Sequence, residues 1–206
     1  RQLKHFHFQR LDGDAARLSG EVQSGGRMKT DITSAKKGLI IINTGKGKGK
    51  TTAALGLMLR AWGHGMNVVM LQFIKRATAN CGEHRAARRI GLELVAGGAG
   101  FTRSNKNGDE NRLLAIELWK TAKEKVTSGN YNMVILDELS YPLRYGWLPV
   151  GEVLEVFRNR PPAVHVVITG RDAPSELIEV ADMVTEMKEV KHHLSKGVKA
   201  QPGIEF

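Results

Sequence analysis

Scarcity bounds this sequence before any motif does. Cys81 is the only cysteine in 206 residues, so an internal disulfide is impossible, and such usage fits a reducing cytoplasm. The thiol itself is expected to be inert, because reactivity requires a neighbourhood that lowers its pKa. No apolar run approaches the roughly twenty residues needed to cross a bilayer, so a soluble protein without a membrane partner is expected. Aromatic residues make up only 6% of the chain and do not interleave with basic ones, which argues against a surface that stacks nucleic-acid bases. Internal repeats and low-complexity tracts are also lacking.

What is present is a basic chain with enough apolar residues for one sizeable core. At 41% hydrophobic, its length suits a single domain better than two. The formal net charge of +10 predicts attraction for anions, whether nucleotide, nucleic acid or acidic lipid. Residues 1–35 are interrupted by Gly13, Gly20, Gly25 and Gly26 and are poor in apolar residues, so a flexible N-terminal segment is expected ahead of a domain over 36–206. Arg1, Lys4, Arg10 and Arg17 suggest a targeting peptide, whereas Asp12, Asp14 and Glu21 argue against one. Met28 is the first possible start, leaving residues 1–27 open between an artificial leader, upstream read-through and a genuine extension.

From Lys36 onward the pattern alternates. Short β-branched runs are expected as strands at 38–43, 67–73, 131–138, 163–169 and 183–187, with a shorter one at 92–95. Helical spacing is expected from Lys50 to Gly63, over 109–126, over 150–157 and over 174–181, and 76–89 reads as loop plus a short helix. Such alternation predicts an α/β fold with a mostly parallel sheet covered on both faces, and sites at the carboxyl ends of its strands.

The stretch Thr44-Gly45-Lys46-Gly47-Lys48-Gly49-Lys50-Thr51-Thr52 sits between the first strand and the first helix. Strand, glycine loop and helix in that order make a phosphate-binding P-loop. The glycines let successive N–H groups face one concavity, and the helix adds its free N–H groups and positive dipole end. Lys50 can bridge phosphates as a point charge, and Thr51 offers a hydroxyl to a hard cation such as Mg²⁺. The loop departs from the usual G-x-x-x-x-G-K-[ST] spacing at its first slot, where Thr44 stands. A basic glycine turn on the surface would need neither the strand nor the helix.

Asp137 and Glu138 close the apolar run 131–138. A carboxylate at that strand end can hold Mg²⁺ or its water shell beside the loop, with Glu138 favoured over Asp137; alternatively one of the two only caps the next turn. His192 and His193 are adjacent without a suitably spaced third ligand, so a solvated or packed pair is expected. Arg171, after Thr169-Gly170, suits either a phosphate or a pairing with Asp172 or Glu176.

These residues, together with Arg60-Ala61, Gly63-His64-Gly65, Leu71-Gln72-Phe73-Ile74-Lys75, Ile168-Thr169-Gly170-Arg171 and the tail from Val190-Lys191-His192-His193 to Gly203-Ile204-Glu205, resemble the P-loop type of ATP:corrinoid adenosyltransferase from Lys37 to Phe206. The resemblance implies a RecA-like, three-layer P-loop NTPase fold. It implies that a corrinoid reduced to Co(I) attacks the 5′ carbon of ATP and releases triphosphate, with ATP held along the loop in the sense opposite to ordinary phosphoryl transfer. It assigns ATP to residues 44–52 and Arg60, catalytic roles to Lys50 and Glu138, Mg²⁺ to Thr51, Glu138 and Asp137, and the corrinoid to Phe101. It also implies a homodimer whose N-terminal segment covers a neighbour's site, and an external reductant such as a flavoprotein.

The chain departs from the family where Gly-Phe-Thr-Trp is usual: here Gly100-Phe101-Thr102-Arg103 stands. Both family aromatics help displace the lower ligand of cobalt, and Arg103 is no apolar wedge, so corrinoids with a weak lower ligand are expected to be the better substrates. Two other readings keep the P-loop: a kinase or hydrolase releasing ADP or phosphate, and a RecA-like nucleic-acid ATPase, which the aromatic scarcity disfavours.

Overall fold

The computed structural model describes residues 37–76, 78–79, 81–100 and 108–205; the N-terminal segment expected over 1–35 lies outside them. Apolar β-branched runs form six strands: β1 (Ile40–Thr44), β2 (Val68–Arg76), β3 (Glu93–Gly98), β4 (Met133–Asp137), β5 (His165–Thr169) and β6 (Met183–Glu186). They assemble in the order β3-β2-β4-β5-β1-β6, and every pairing is parallel. The central strands are buried on both faces, which explains why they read as unbroken apolar runs instead of alternating ones.

Helices fill the crossovers: α1 (Lys50–Gly63), α2 (Gly82–Ile90), α3 (Gly108–Thr127), α4 (Ser140–Arg144), α5 (Val150–Arg158) and α6 (Ser175–Val180). With right-handed crossovers, the leftward steps β1 to β2 to β3 put α1 and α2 on one face, and the rightward steps from β3 put α3 to α6 on the other. The cores agree. Ala54, Met58 and Ala61 of α1 pack on Ile41, Met70, Ile135 and Val167. Trp119 and Ala122 of α3, Phe157 of α5 and Leu177 of α6 pack on Ile42, Leu71, Leu136 and Ile168. This is the three-layer, RecA-like arrangement, in which one strand, β5, separates the P-loop strand from the strand that ends in Asp137.

The expected elements are present with shifted ends. β2 runs on to Arg76 because β3 pairs with it as far as Gly98, which extends β3 beyond 95 as well. α4 was not foreseen: its five residues include Pro142 and follow a strand end almost directly.

One rung of the sheet decides where the chemistry lies. On the α1 face, strand-end positions that would continue the apolar rows of β2, β4, β5 and β1 are polar instead: Gln72, Asp137, Thr169 and Asn43. Gln72 is in register with Asp137, and Asn43 with Thr169. Four buried polar side chains thus cross the sheet directly beneath the start of α1.

Candidate active site

The P-loop curls because two of its glycines take left-handed backbone, Gly45 at φ 94° and Gly49 at φ 106°, where a side chain would be strained. Thr44 fills the first slot of the motif without strain. It is the last residue of β1, and its Oγ1 accepts a hydrogen bond from the Ala173 N–H at 3.2 Å. The loop is also clasped from outside by the chain leaving β6: Met187 N–H donates to the Thr44 carbonyl at 2.8 Å, and Gly47 N–H donates to the Met187 carbonyl at 2.7 Å. A Cβ on Gly47 would lie 2.7 Å from that carbonyl oxygen, so the clasp requires glycine there.

Lys50 is buried, and its ammonium donates to the carbonyls of Gly45 at 2.8 Å and Gly47 at 2.6 Å. Burial lowers its pKa, an effect partly offset by the nearby Glu138 carboxylate. An ammonium has three N–H donors, so one is left for a phosphate oxygen. The first-turn N–H groups of α1, those of Lys50, Thr51 and Thr52, lack a helical carbonyl partner and carry the positive end of the helix dipole.

Asp137 anchors this arrangement from below. Its Oδ1 accepts from the Thr51 hydroxyl at 2.8 Å and the Thr169 hydroxyl at 2.7 Å, and its Oδ2 accepts from Gln72 Nε2 at 3.0 Å. Glu138 is placed differently. Consecutive strand residues face opposite sides of a sheet, but Glu138 takes a left-handed backbone, φ 61°, fixed by its N–H donating to Thr169 Oγ1 at 2.9 Å. Its carboxyl therefore joins the P-loop side. Burial, reinforced by Asp137, raises its pKa, and Lys50 and Arg171 work in the other direction.

These groups share a cavity of about 1150 Å³. Its floor is the P-loop from Gly47 to Thr52 with Glu138 and Arg171; one wall is apolar, from Leu55 and Met58 of α1 to Ala87 and Ile90 of α2. Tyr141, Arg144 and Tyr145 also line the cavity, with the Arg144 guanidinium 5.8 Å and 5.2 Å from the two ring centres. Burial pushes the Tyr141 phenol up to about 12, so it stays protonated near neutrality. The tail closes one side: Glu205 meets Lys48 at 3.1 Å and His193 at 2.7 Å.

Of the residues singled out in the sequence, Lys50, Thr51 and Glu138 come together at the cavity floor, which Gly47, Lys48, Gly49 and Thr52 also line, and Asp137 is buried beneath them, bonded to the Thr51 hydroxyl. Thr44, Gly45 and Lys46 belong to the same loop but do not line the cavity, and Arg60 is exposed in the last turn of α1, away from the lining. Phe101 and Arg103 lie outside the described residues. Asp172 pairs with Arg144 at 2.6 Å, leaving Arg171 to the cavity. His192 and His193 stack at 4.6 Å, and no cluster of three or more His, Cys, Asp or Glu residues suited to a metal occurs among the described residues. Cys81 is buried and free. Sequence reasoning missed the partners of Asp137, namely Gln72 and Thr169, and the Tyr141-Arg144-Tyr145 wall; a glutamine inside an apolar strand was the one available signal. No helix among the described residues is long and apolar enough to cross a membrane.

A family model described as "ATP:corrinoid adenosyltransferase BtuR/CobO/CobP" matches residues 36–206. A corrinoid adenosyltransferase of Escherichia coli K12 is 42% identical over 171 residues, covering 83% of this chain and 87% of that protein. One from Sinorhizobium is 42% identical over 181 residues, 86% of this chain and 83% of its own length. Among solved structures, the flagellar accessory protein FlaH from Methanocaldococcus jannaschii superposes with a TM-score of 0.51 over 72% of this chain and 70% of its own, at 12% identity, a likeness of fold alone.

Proposed function

Since the chain belongs to the ATP:corrinoid adenosyltransferase family and transfers the adenosyl group of ATP to a corrinoid, we propose how its residues divide that reaction. The P-loop takes the triphosphate. Lys50 supplies its remaining N–H to the phosphates, and the first-turn amides of α1 and the Lys48 ammonium surround the charge that grows on the chain as the 5′ carbon is transferred. Cobalt of the corrinoid substrate is the nucleophile, so no Ser/His/Asp or Cys/His set is needed from the protein.

The donor set fits Mg²⁺. Thr51 and Glu138 present a hydroxyl and a carboxylate, hard oxygen ligands of the kind this ion takes alongside phosphate oxygens. Asp137, already accepting three hydrogen bonds, acts behind Thr51: it accepts the hydrogen bond of the hydroxyl and so leaves the oxygen lone pairs for the cation. When bound, Mg²⁺ neutralises charge on the triphosphate.

The cavity of about 1150 Å³ lies at the upper end of small-ligand sites, and its apolar wall beside the P-loop is where a corrinoid would approach the nucleotide. By the family resemblance Phe101 is assigned to the corrinoid and Arg60 to the nucleotide, although Arg60 does not line this cavity, and the substrates favoured are those with a weak lower cobalt ligand. The enzyme works in the cytoplasm as a homodimer with an external reductant, as the family resemblance implies.

The observation carrying this reading is the 2.8 Å bond from the Thr51 hydroxyl to Asp137, on a cavity floor that Lys50 and Glu138 share. Lys50→Ala tests it: kcat should fall on the order of 10²–10³-fold, the loss typical of one transition-state donor. Near-normal turnover of MgATP and chemically reduced corrinoid by that variant would refute the assignment.

A further inference from the structure

The hydrogen bonds around Asp137 do not end at Gln72. Because the Gln72 amide nitrogen is committed to the Asp137 carboxylate, its oxygen faces the other way, and His84 Nε2 lies 2.7 Å from it. The polarity of the chain is therefore fixed: a carboxylate accepts only, so Gln72 donates to it, and His84 must carry its proton on Nε2 to donate to Gln72. Burial lowers the His84 pKa, with Lys75 and Arg88 acting in the same direction and the Ala79 carbonyl opposing.

Every member is shielded from water: His84 is 6% exposed, Gln72 1%, Asp137 1% and Thr169 0%. His84 belongs to α2, whose Ala87 and Ile90 form the apolar cavity wall. Its neighbour Glu83 ties the same turn to β2 through an ion pair with Lys75. A line of hydrogen bonds thus joins the wall, through β2 and β4, to the Thr51 hydroxyl in the first turn of α1, with His84 and Gln72 donating toward Asp137 from one side and Thr51 from the other. Buried polar chains are seldom better for stability than apolar packing of the same volume, so their presence calls for a task other than holding α2 down.

We propose that His84 is a positioning residue: its Nε2–H, relayed by Gln72, fixes the Asp137 carboxylate and through it the Thr51 hydroxyl that receives the cation of the nucleotide. The inference rests on the assignment of Thr51 above and adds what aims it. Without the relay, Gln72 is free to turn its amide, Asp137 loses the donor on Oδ2, and the Thr51 oxygen no longer keeps its lone pairs turned outward.

The test is Mg²⁺-dependent binding of ATP to the full chain, followed by calorimetry, with turnover as a second readout. His84→Phe keeps a planar ring and removes the donor; Gln72→Met interrupts the relay one step on, in case the first variant folds poorly. Each should raise the half-saturating Mg²⁺ concentration roughly 5–10-fold, a size typical of altered outer-shell partners, while ATP binding without Mg²⁺ stays as in the wild type. His84→Gln, whose amide nitrogen reaches the place of Nε2, should restore most of the difference. In a Thr51→Ala background, His84→Phe should have no further effect on Mg²⁺ dependence.

Unchanged Mg²⁺ dependence in both His84→Phe and Gln72→Met, with a shift in Thr51→Ala, would overturn the role of His84 alone. An unshifted Thr51→Ala would overturn the metal assignment and this proposal with it. Equal losses in His84→Phe and His84→Gln would also contradict the relay, since only one of them lacks the donor.

Discussion

Glu138 combines two costs that nothing in the packing demands. A left-handed backbone is unfavourable by about 1–3 kcal/mol for a residue with a side chain, and the half-buried carboxyl has its pKa raised by desolvation and by the neighbouring Asp137. A raised carboxyl pKa makes the charged form a liability to the fold: the penalty is absent below the unfolded value near 4.5 and grows as pH rises through the folded pKa. Glu138→Gln should therefore melt higher than the wild type at pH 7, lose that advantage as pH falls toward 4.5, and turn over far more slowly. A melting curve at each pH checks this, and an equal or lower melting temperature at pH 7 would count against the burial argument. The two carboxylates were visible in the sequence, as acids ending an apolar run. The sequence also favoured Glu138, but not for the reason the structure shows, which is one backbone torsion that turns Glu138 onto the face Asp137 already occupies.

At the level of elements, strand, loop and helix were legible from composition, but the clasp on the loop was not. Met187 lies far along the chain from Gly47, and only the pairing of β6 with β1 brings the two together. The clasp separates two glycines that look alike in sequence. Gly47→Ala forces a Cβ to within 2.7 Å of the Met187 and Lys188 backbones, and overpacking of that kind costs about 1–3 kcal/mol, or roughly 2–12 °C in a domain of this size. Nucleotide binding should weaken with it. Gly56 lies in α1, and a methyl group there would meet nothing within 4 Å, so Gly56→Ala should stabilise by about 0.5–1 kcal/mol by favouring the helix. Thermal melting of both variants should move in opposite directions. The helix α4 escaped sequence reading for a related reason: a five-residue turn containing Pro142 is held by Leu139 and Leu143 in the core, not by local propensity.

For the molecule as a whole, the parallel sheet with helices on both faces followed from alternation, while the strand order β3-β2-β4-β5-β1-β6 did not, since no local signal records which strands become neighbours. That order is what assembles the site. It brings Gln72, Asp137, Thr169 and Asn43 into one polar rung under the start of α1, and it leaves a cavity with a charged floor and an apolar wall. The central claim is that the P-loop grips the triphosphate as a leaving group, so that carbon and not phosphorus is attacked. Its most direct test is to incubate the protein with MgATP and chemically reduced corrinoid in the dark and quantify both products. The account predicts a light-sensitive adenosylcorrinoid and inorganic triphosphate in equal amounts; ADP or orthophosphate released without a cobalt–carbon bond would contradict it.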